Sequence, residues 1–268
     1  MRSLEAESNR RPPLVLIVGP TAVGKTEISI QLAMRLNGEI ISADSRLFYR
    51  GMDIGTAKPS PAERRGVPHH LIDVADPREV WSLALFQEQA RRAIAQVHAR
   101  GRLPFLVGGT GQYIRAVTQC WQPPAVQPDA RLRRVLEAWA QEIGAAGLHA
   151  RLARLDAEAA AKIDPRNLRR TVRALEVILS SGRRFSDQRS HGDSPYDLLH
   201  LGLTRPRAEL YARIDQRIER MLQEGLADEV RSLLAQGVPP NAPAFSAIGY
   251  REMLADLQGQ LTLEEAVA

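Results

Sequence analysis

The stretch Leu14-Val15-Leu16-Ile17-Val18-Gly19-Pro20-Thr21-Ala22-Val23-Gly24-Lys25-Thr26 decides the fold. Five apolar residues run directly into a glycine-bounded loop, and Ile28, Leu32 and Leu36 then recur four apart, so the segment predicts strand, phosphate loop and helix. Glycines at both ends let backbone N–H groups wrap an anion at a helix N-terminus, as in nucleotide- and ATP-binding proteins. Lys25 adds a compact point charge, and the Thr26 hydroxyl is placed to ligate Mg²⁺. The cradle is therefore Gly19, Pro20, Thr21, Ala22, Val23, Gly24, Lys25 and Thr26, with Thr26 as the metal-ligand candidate.

Working outward, an ordinary P-loop hydrolase should carry a second strand ending in Asp or Glu to organise the metal. The best candidate is Leu103 to Val107, introduced by a helix with Leu83, Phe86, Ala90, Ile94 and Val97 on one face and ended by Gly101. It closes instead on Gly108-Gly109-Thr110-Gly111, which suits a backbone approaching a ligand or a tight turn before the next helix. A carboxylate does follow the strand Glu39 to Ser42, in Ala43-Asp44-Ser45-Arg46. The carboxyl edge of a parallel sheet is where open α/β folds bind ligands, which makes Asp44 a general-base candidate, with a helix cap as the alternative.

Composition sets wider limits. The chain has 268 residues, 44% of them hydrophobic, and a formal charge of +5. That suffices for a main domain plus a small one. Cys120 is the single cysteine, which excludes an internal disulfide or a multi-thiolate metal site. No apolar run approaches the roughly 20 residues that cross a bilayer, so no membrane partner and a cytoplasmic location are expected. Residues 1–13 read as a disordered arm rather than a signal. Lys25, Lys58 and Lys162 are the only lysines and all other basic residues are arginine, a balance that invites a nucleic-acid reading or reflects codon usage alone.

Four segments in order, GPTAVGKT, ISADSRLFYRGMDIGTAKP, PHHLIDV and LVGGTGQYIRA, resemble the tRNA dimethylallyltransferase family, and RALEV, LYARIDQR and AIGYRE extend the similarity from Leu14 to about Gln258. The resemblance implies that the loop cradles dimethylallyl diphosphate rather than ATP, with Mg²⁺. It implies that the acceptor is the adenosine 3′ of the anticodon in tRNAs reading codons that begin with U, met through the anticodon stem-loop. It also implies catalytic roles for Asp44, Thr110 and Arg217. Implied tRNA contacts are Asp44, Ser45, Arg46, Leu47, Thr110, Arg169, Arg170, Thr171, Val172, Arg173, Ser246, Ala247, Ile248, Gly249, Tyr250 and Arg251. Arg217 lies on a helix whose Leu210, Ile214, Ile218 and Met221 should face the core.

The middle of the chain has another texture. Pro123, Pro124 and Pro128 break the pattern, and Asp129 opens a helix with Leu132, Val135, Leu136, Trp139 and Ile143 on one face. A further helix over Arg166 to Ser181 sets Leu168, Val172, Leu175 and Leu179 against Arg166, Arg169, Arg170 and Arg173. Such a basic stripe suits a phosphate backbone, or is a solvated face.

The expected architecture is α/β: a P-loop NTPase-like parallel sheet flanked by helices, from 1–118 and 196–268, with an inserted all-helical domain at 119–195 that contacts tRNA. The chain is expected to act as a monomer. Its last residues, Thr262 to Ala268, read as a capping box opening a helix with no room to continue, and they lack the basic and aromatic segment of the family, so weakened RNA affinity is expected. Two rival readings follow: a P-loop kinase of a small metabolite, and an inactive, truncated RNA-binding remnant.

Overall fold

Continuous apolar runs such as Leu14 to Val18 suit strands covered on both faces, and the computed structural model, which describes residues 11–121, 124, 126–188 and 192–267, uses them so. Strands β1 (Pro13–Val18), β2 (Gly38–Ser42), β3 (His69–His70), β4 (Leu103–Gly108) and β5 (Asp197–Gly202) form one sheet of order β3-β2-β4-β1-β5, and every pairing is parallel. Alternate side chains feed two cores. Val15, Ile17, Ile40, Phe105 and Val107 pack with Ile30 and Ala33 of α1 (Lys25–Arg35). Leu14, Leu16, Ile41 and Leu106 pack on the other face with α2 (Leu83–Ala99), α3 (Gly111–Thr118) and residues that follow α7 (Arg207–Gln223), notably those of α8 (Leu226–Ala235) and α9 (Tyr250–Leu257).

The register aligns the carboxyl ends. Val18 lies opposite Gly108 on one side and Gly202 on the other, and Ser42 lies opposite Val107. The loops leaving β1, β2, β4 and β5 therefore emerge at one edge. Because β1 sits between β4 and β5 while the chain passes from β1 to β2 beyond β4, the phosphate loop opens where the strand order reverses, as ligand crevices of this architecture do.

The chain divides into two compact units, residues up to 118 with 194 onward, and 119–193. The second unit is helical: α4 (Ala130–Leu155), α5 (Ala157–Ala161) and α6 (Leu168–Ser181) enclose Leu136, Leu148, Leu152, Ile163, Leu175 and Phe185. Asp129 caps α4 by accepting from the N–H groups of Arg131 and Leu132. A short helix α10 (Leu263–Val267) ends the described chain, with Thr262 and Glu265 forming the anticipated capping box. Among the described residues no helix is long and apolar enough to cross a membrane.

Several expectations are corrected. The arm ends earlier than residue 13, since Pro13 is in β1 and the Pro12 carbonyl accepts from the Asp197 N–H; residues 1–10 lie outside the described residues, as do Pro123 and Ala268. In α1 the buried face is Ser29, Ile30 and Ala33 while Leu36 is exposed, because residues four apart drift 40° per step around a 3.6-residue helix. Val135 is 61% exposed, and Trp139 lies under the Arg151 guanidinium at 5.7 Å; the buried side is centred on Leu136 and Ala140, which leaves Val135 at the far edge of the apolar stripe. Leu179, in the last turn of α6, is likewise exposed, and on α7 only Met221 is buried, with Leu210, Ile214 and Ile218 half-buried.

Candidate active site

The phosphate loop is held in its cradle shape by strained backbone and by clamps from outside. Gly24, the N-cap of α1, has φ 104°, and a Cβ on Gly19 would meet the Leu203 carbonyl oxygen at 2.6 Å, so both positions require glycine. Ala22 also adopts a positive φ, 63°. Its carbonyl accepts from Arg213 Nε at 2.7 Å, and the Val23 carbonyl accepts from Arg205 Nε at 3.0 Å. Two successive carbonyls are thus tied to guanidinium groups.

Lys25 Nζ donates to the carbonyls of Gly19 (2.9 Å) and Pro20 (2.8 Å). Burial pushes its pKa below the ordinary lysine value; the Asp44 carboxylate opposes that shift and the Arg217 guanidinium adds to it. Arg217 is lowered for the same first reason, burial, again opposed by Asp44 and reinforced by Arg220. The structure therefore brings Lys25, Asp44 and Arg217, which lie far apart in sequence, into one electrostatic group at the carboxyl edge of the sheet. Arg217 is not a solvated surface charge: its Nη2 donates to the Thr56 carbonyl at 3.1 Å.

Asp44 does not cap a helix. It is half-buried in a turn, where Oδ1 accepts from the Arg46 N–H at 3.0 Å, and the Ser42 hydroxyl oxygen accepts from the Asp44 N–H. Tyr113 faces this region: burial raises its hydroxyl pKa, and Tyr49, Arg46 and Asp44 act on it electrostatically. Its ring stacks on Phe86 (4.3 Å) and Phe48 (5.9 Å). An apolar aromatic wall thus adjoins the charged group.

The glycines after β4 serve close approach. A Cβ on Gly108 would lie 2.5 Å from the Ala43 carbonyl oxygen, and one on Gly109 would lie 3.5 Å from Gly19 O and 3.9 Å from Lys25 Nζ. The loop between β4 and α3 therefore lies against the phosphate loop, and Thr110 opens α3 by accepting from the N–H groups of Tyr113 and Ile114.

Of the residues implied to meet tRNA, Arg46 joins two stretches, because its guanidinium donates to the Ser246 hydroxyl (3.2 Å) and carbonyl (3.3 Å). Ile248 is 86% exposed beside them, and Arg251 is exposed and paired with Glu252. Ser45 and Leu47 are half-buried. Ala247 and Tyr250 are core residues, and in the helical unit so are Thr171 and Val172; their side chains serve packing. The arginine stripe is thinner than its spacing suggests. Arg173 turns inward to the fully buried Glu176 and to the Val126 carbonyl, and Arg166 precedes the helix and pairs with Asp164, while Arg169 and Arg170 are exposed.

Residues that sequence reasoning missed are Arg205, Arg213, Thr56, Tyr113 and Glu229. Arg213 had a signal, lying one helical turn before Arg217 on α7. Arg205, Thr56 and Glu229 act through contacts 160 or more residues apart that involve backbone atoms, and Tyr113 acts through ring stacking on Phe48 and Phe86, none of which leaves a local pattern. Among the described residues no group of three His, Cys, Asp or Glu could hold a metal. The Thr26 hydroxyl is a hard oxygen donor on the cradle, which fits a Mg²⁺ carried in largely by phosphate oxygens.

The family model for IPP transferase matches residues 47–268. A tRNA dimethylallyltransferase of Thermomicrobium roseum is 54% identical over 259 residues, 97% of this chain and 79% of the relative, and one of Roseiflexus sp. (strain RS-1) is 57% identical over 256 residues, 96% and 84%. The tRNA isopentenylpyrophosphate transferase of Bacillus halodurans superposes with a TM-score of 0.69 at 49% identity, covering 95% of this chain and 80% of that one. A eukaryotic dimethylallyltransferase solved acting on tRNA gives 0.77 at 28% identity, covering 96% and 65%.

Proposed function

This chain belongs to the IPP transferase family, and on that premise we propose that it moves a dimethylallyl group from dimethylallyl diphosphate to N6 of the adenosine 3′ of the anticodon, in tRNAs reading codons that begin with U. It is a prenyl-transferring enzyme of tRNA modification. The observation that carries the reading is the convergence of one carboxylate, Asp44, with two cations, Lys25 and Arg217, beside a loop shaped for phosphate.

The chemistry follows from the charges. The N6 nitrogen forms a bond to the allylic carbon as the bond from that carbon to the diphosphate oxygen breaks. The N6 proton passes to the Asp44 carboxylate, and the electron pair of the broken bond leaves with the diphosphate. Negative charge accumulates on the leaving oxygens, where the loop N–H groups, Lys25 and Arg217 act as fixed positive partners. Arg217 can offer paired donors to two oxygens at once, which a lysine cannot. Thr110, on the loop against the cradle, completes the catalytic set. A Mg²⁺ bound by Thr26 and the phosphates would neutralise further leaving-group charge.

The adenine reaches Asp44 by leaving its stack, which costs little in an RNA loop. Arg46, Ser246 and Ile248 flank that approach, and Arg169 and Arg170 add sequence-independent phosphate attraction. The kinase and remnant readings draw no support from the relatives, which are named as transferases acting on tRNA.

The test is transfer of labelled dimethylallyl group to unmodified tRNA, comparing this chain with Asp44→Ala in the presence of excess ATP. Incorporation that needs Asp44 and ignores ATP supports the reading. ATP turnover without RNA would sink it.

A further inference from the structure

Glu229, on α8, plugs a receptor made of backbone. Its Oε2 accepts from the N–H groups of Asp53 and Ile54, each at 2.8 Å, and its Oε1 accepts from the Gly55 N–H at 3.3 Å and from the Tyr250 hydroxyl. Three successive N–H groups converging on one point form an anion-binding concavity. Here a side chain from 174 or more residues away fills it.

The segment behind that concavity is bound on every side. Lys58 Nζ donates to the Tyr49 carbonyl at 2.8 Å and to Asp53 and Asp73 at 2.5 Å each. The Thr56 hydroxyl donates to the Met52 carbonyl at 2.6 Å. A Cβ on Gly55 would lie 2.7 Å from Tyr250 Cζ, so the chain has closed on α9 as far as it can. The residue after this bracket, Thr56, presents the carbonyl that receives Arg217 Nη2.

Arg217 has five N–H donors, and its fork is rigid and planar, so anchoring one nitrogen sets the direction of the others. It also feels the attraction of Asp44, a second pull on the guanidinium besides the Thr56 carbonyl. We propose that Glu229 is a positioning residue for the leaving-group arginine: by holding the Asp53, Ile54 and Gly55 N–H groups it fixes the Thr56 carbonyl, and through it the orientation in which Arg217 meets the diphosphate. The inference rests on the reading of Arg217 as a diphosphate ligand.

The experiment is a double-mutant cycle read by calorimetric binding of dimethylallyl diphosphate with Mg²⁺ and no RNA, on the full chain and its Glu229→Gln, Arg217→Gln and doubly substituted forms. Glu229→Gln keeps the side-chain volume and should weaken binding about tenfold, while the double variant binds no more weakly than Arg217→Gln alone. Losses that multiply, or a Glu229→Gln chain that binds like the wild type, would overturn the proposal. If Glu229→Gln does not fold, Tyr250→Phe removes one of the four bonds, and its weakening must likewise vanish in the Arg217→Gln background. An Arg217→Gln chain that binds normally would remove both the arginine and the inference from the site. Wild-type prenyl transfer, measured alongside, tests the function reading separately.

Discussion

Asp44, the proposed base, and Lys25, one of the proposed partners of the leaving diphosphate, can each be tested by substitution. Asp44→Asn keeps the shape of the turn but cannot accept the N6 proton, so prenyl transfer should fall by about 10²–10⁴-fold in kcat with donor affinity retained, as single-turnover kinetics and calorimetry would report. Lys25 supplies a pH signature. Its pKa in the free protein is held below the ordinary lysine value, chiefly by burial, and a bound diphosphate would raise it. Donor affinity is then full while Lys25 is protonated and is lost as pH rises through that lowered pKa into the bound-state value. A titration of donor binding from neutral pH upward should show this decline, and Lys25→Met should abolish it along with most of the affinity.

Strand β2 leads to the proposed base at one end and carries a structural anchor at the other. Asp44 follows its carboxyl end, whereas Glu39, near its amino end, is buried and accepts from Arg100 Nε (2.9 Å), with His70 Nε2 at 2.6 Å and Arg102 Nη1 at 3.3 Å. Hydrogen bonds from Arg100, ahead of those from His70, lower its pKa to about 2 against an opposing desolvation. A carboxylate depressed in the folded state contributes stability that is present above its unfolded value of 4.5 and is lost as pH falls toward 2. Glu39→Gln should therefore lower the melting temperature at pH 7, with the gap to wild type closing between those two pH values. In the same strand, Gly38 has no room for a methyl group: a Cβ would lie 2.7 Å from Phe105 Cδ2 and 2.8 Å from the Leu103 carbonyl oxygen. Gly38→Ala should cost about 1–3 kcal/mol by urea denaturation, as overpacking does.

For the whole molecule, the proposed division of labour, with catalysis in the α/β unit and tRNA contact in the helical unit, predicts separable effects. Arg169→Ala and Arg170→Ala, on exposed turns of α6, should weaken tRNA binding and reduce the salt slope by about one each, while leaving donor binding in the other unit unchanged. A filter-binding series in salt, run beside calorimetry with the donor, measures both. The sequence by itself determined the strand, loop and helix around Gly19 to Thr26, the β4 strand ending in glycines, the capping box of Thr262 and Glu265 and the family, because backbone-specifying residues and 3.6-residue or run-length patterns act within a few positions. It also placed Asp44 at a strand end. Which faces of α1 and α4 are buried, the exposure of Leu179, the inward turn of Arg173 to Glu176, the core placement of Tyr250, the arginine clamps on the phosphate loop and the Glu229 plug were decided only by the tertiary structure. Those depend on which element packs against which, and on backbone carbonyls and N–H groups that every residue possesses, so no side-chain pattern along the chain encodes them.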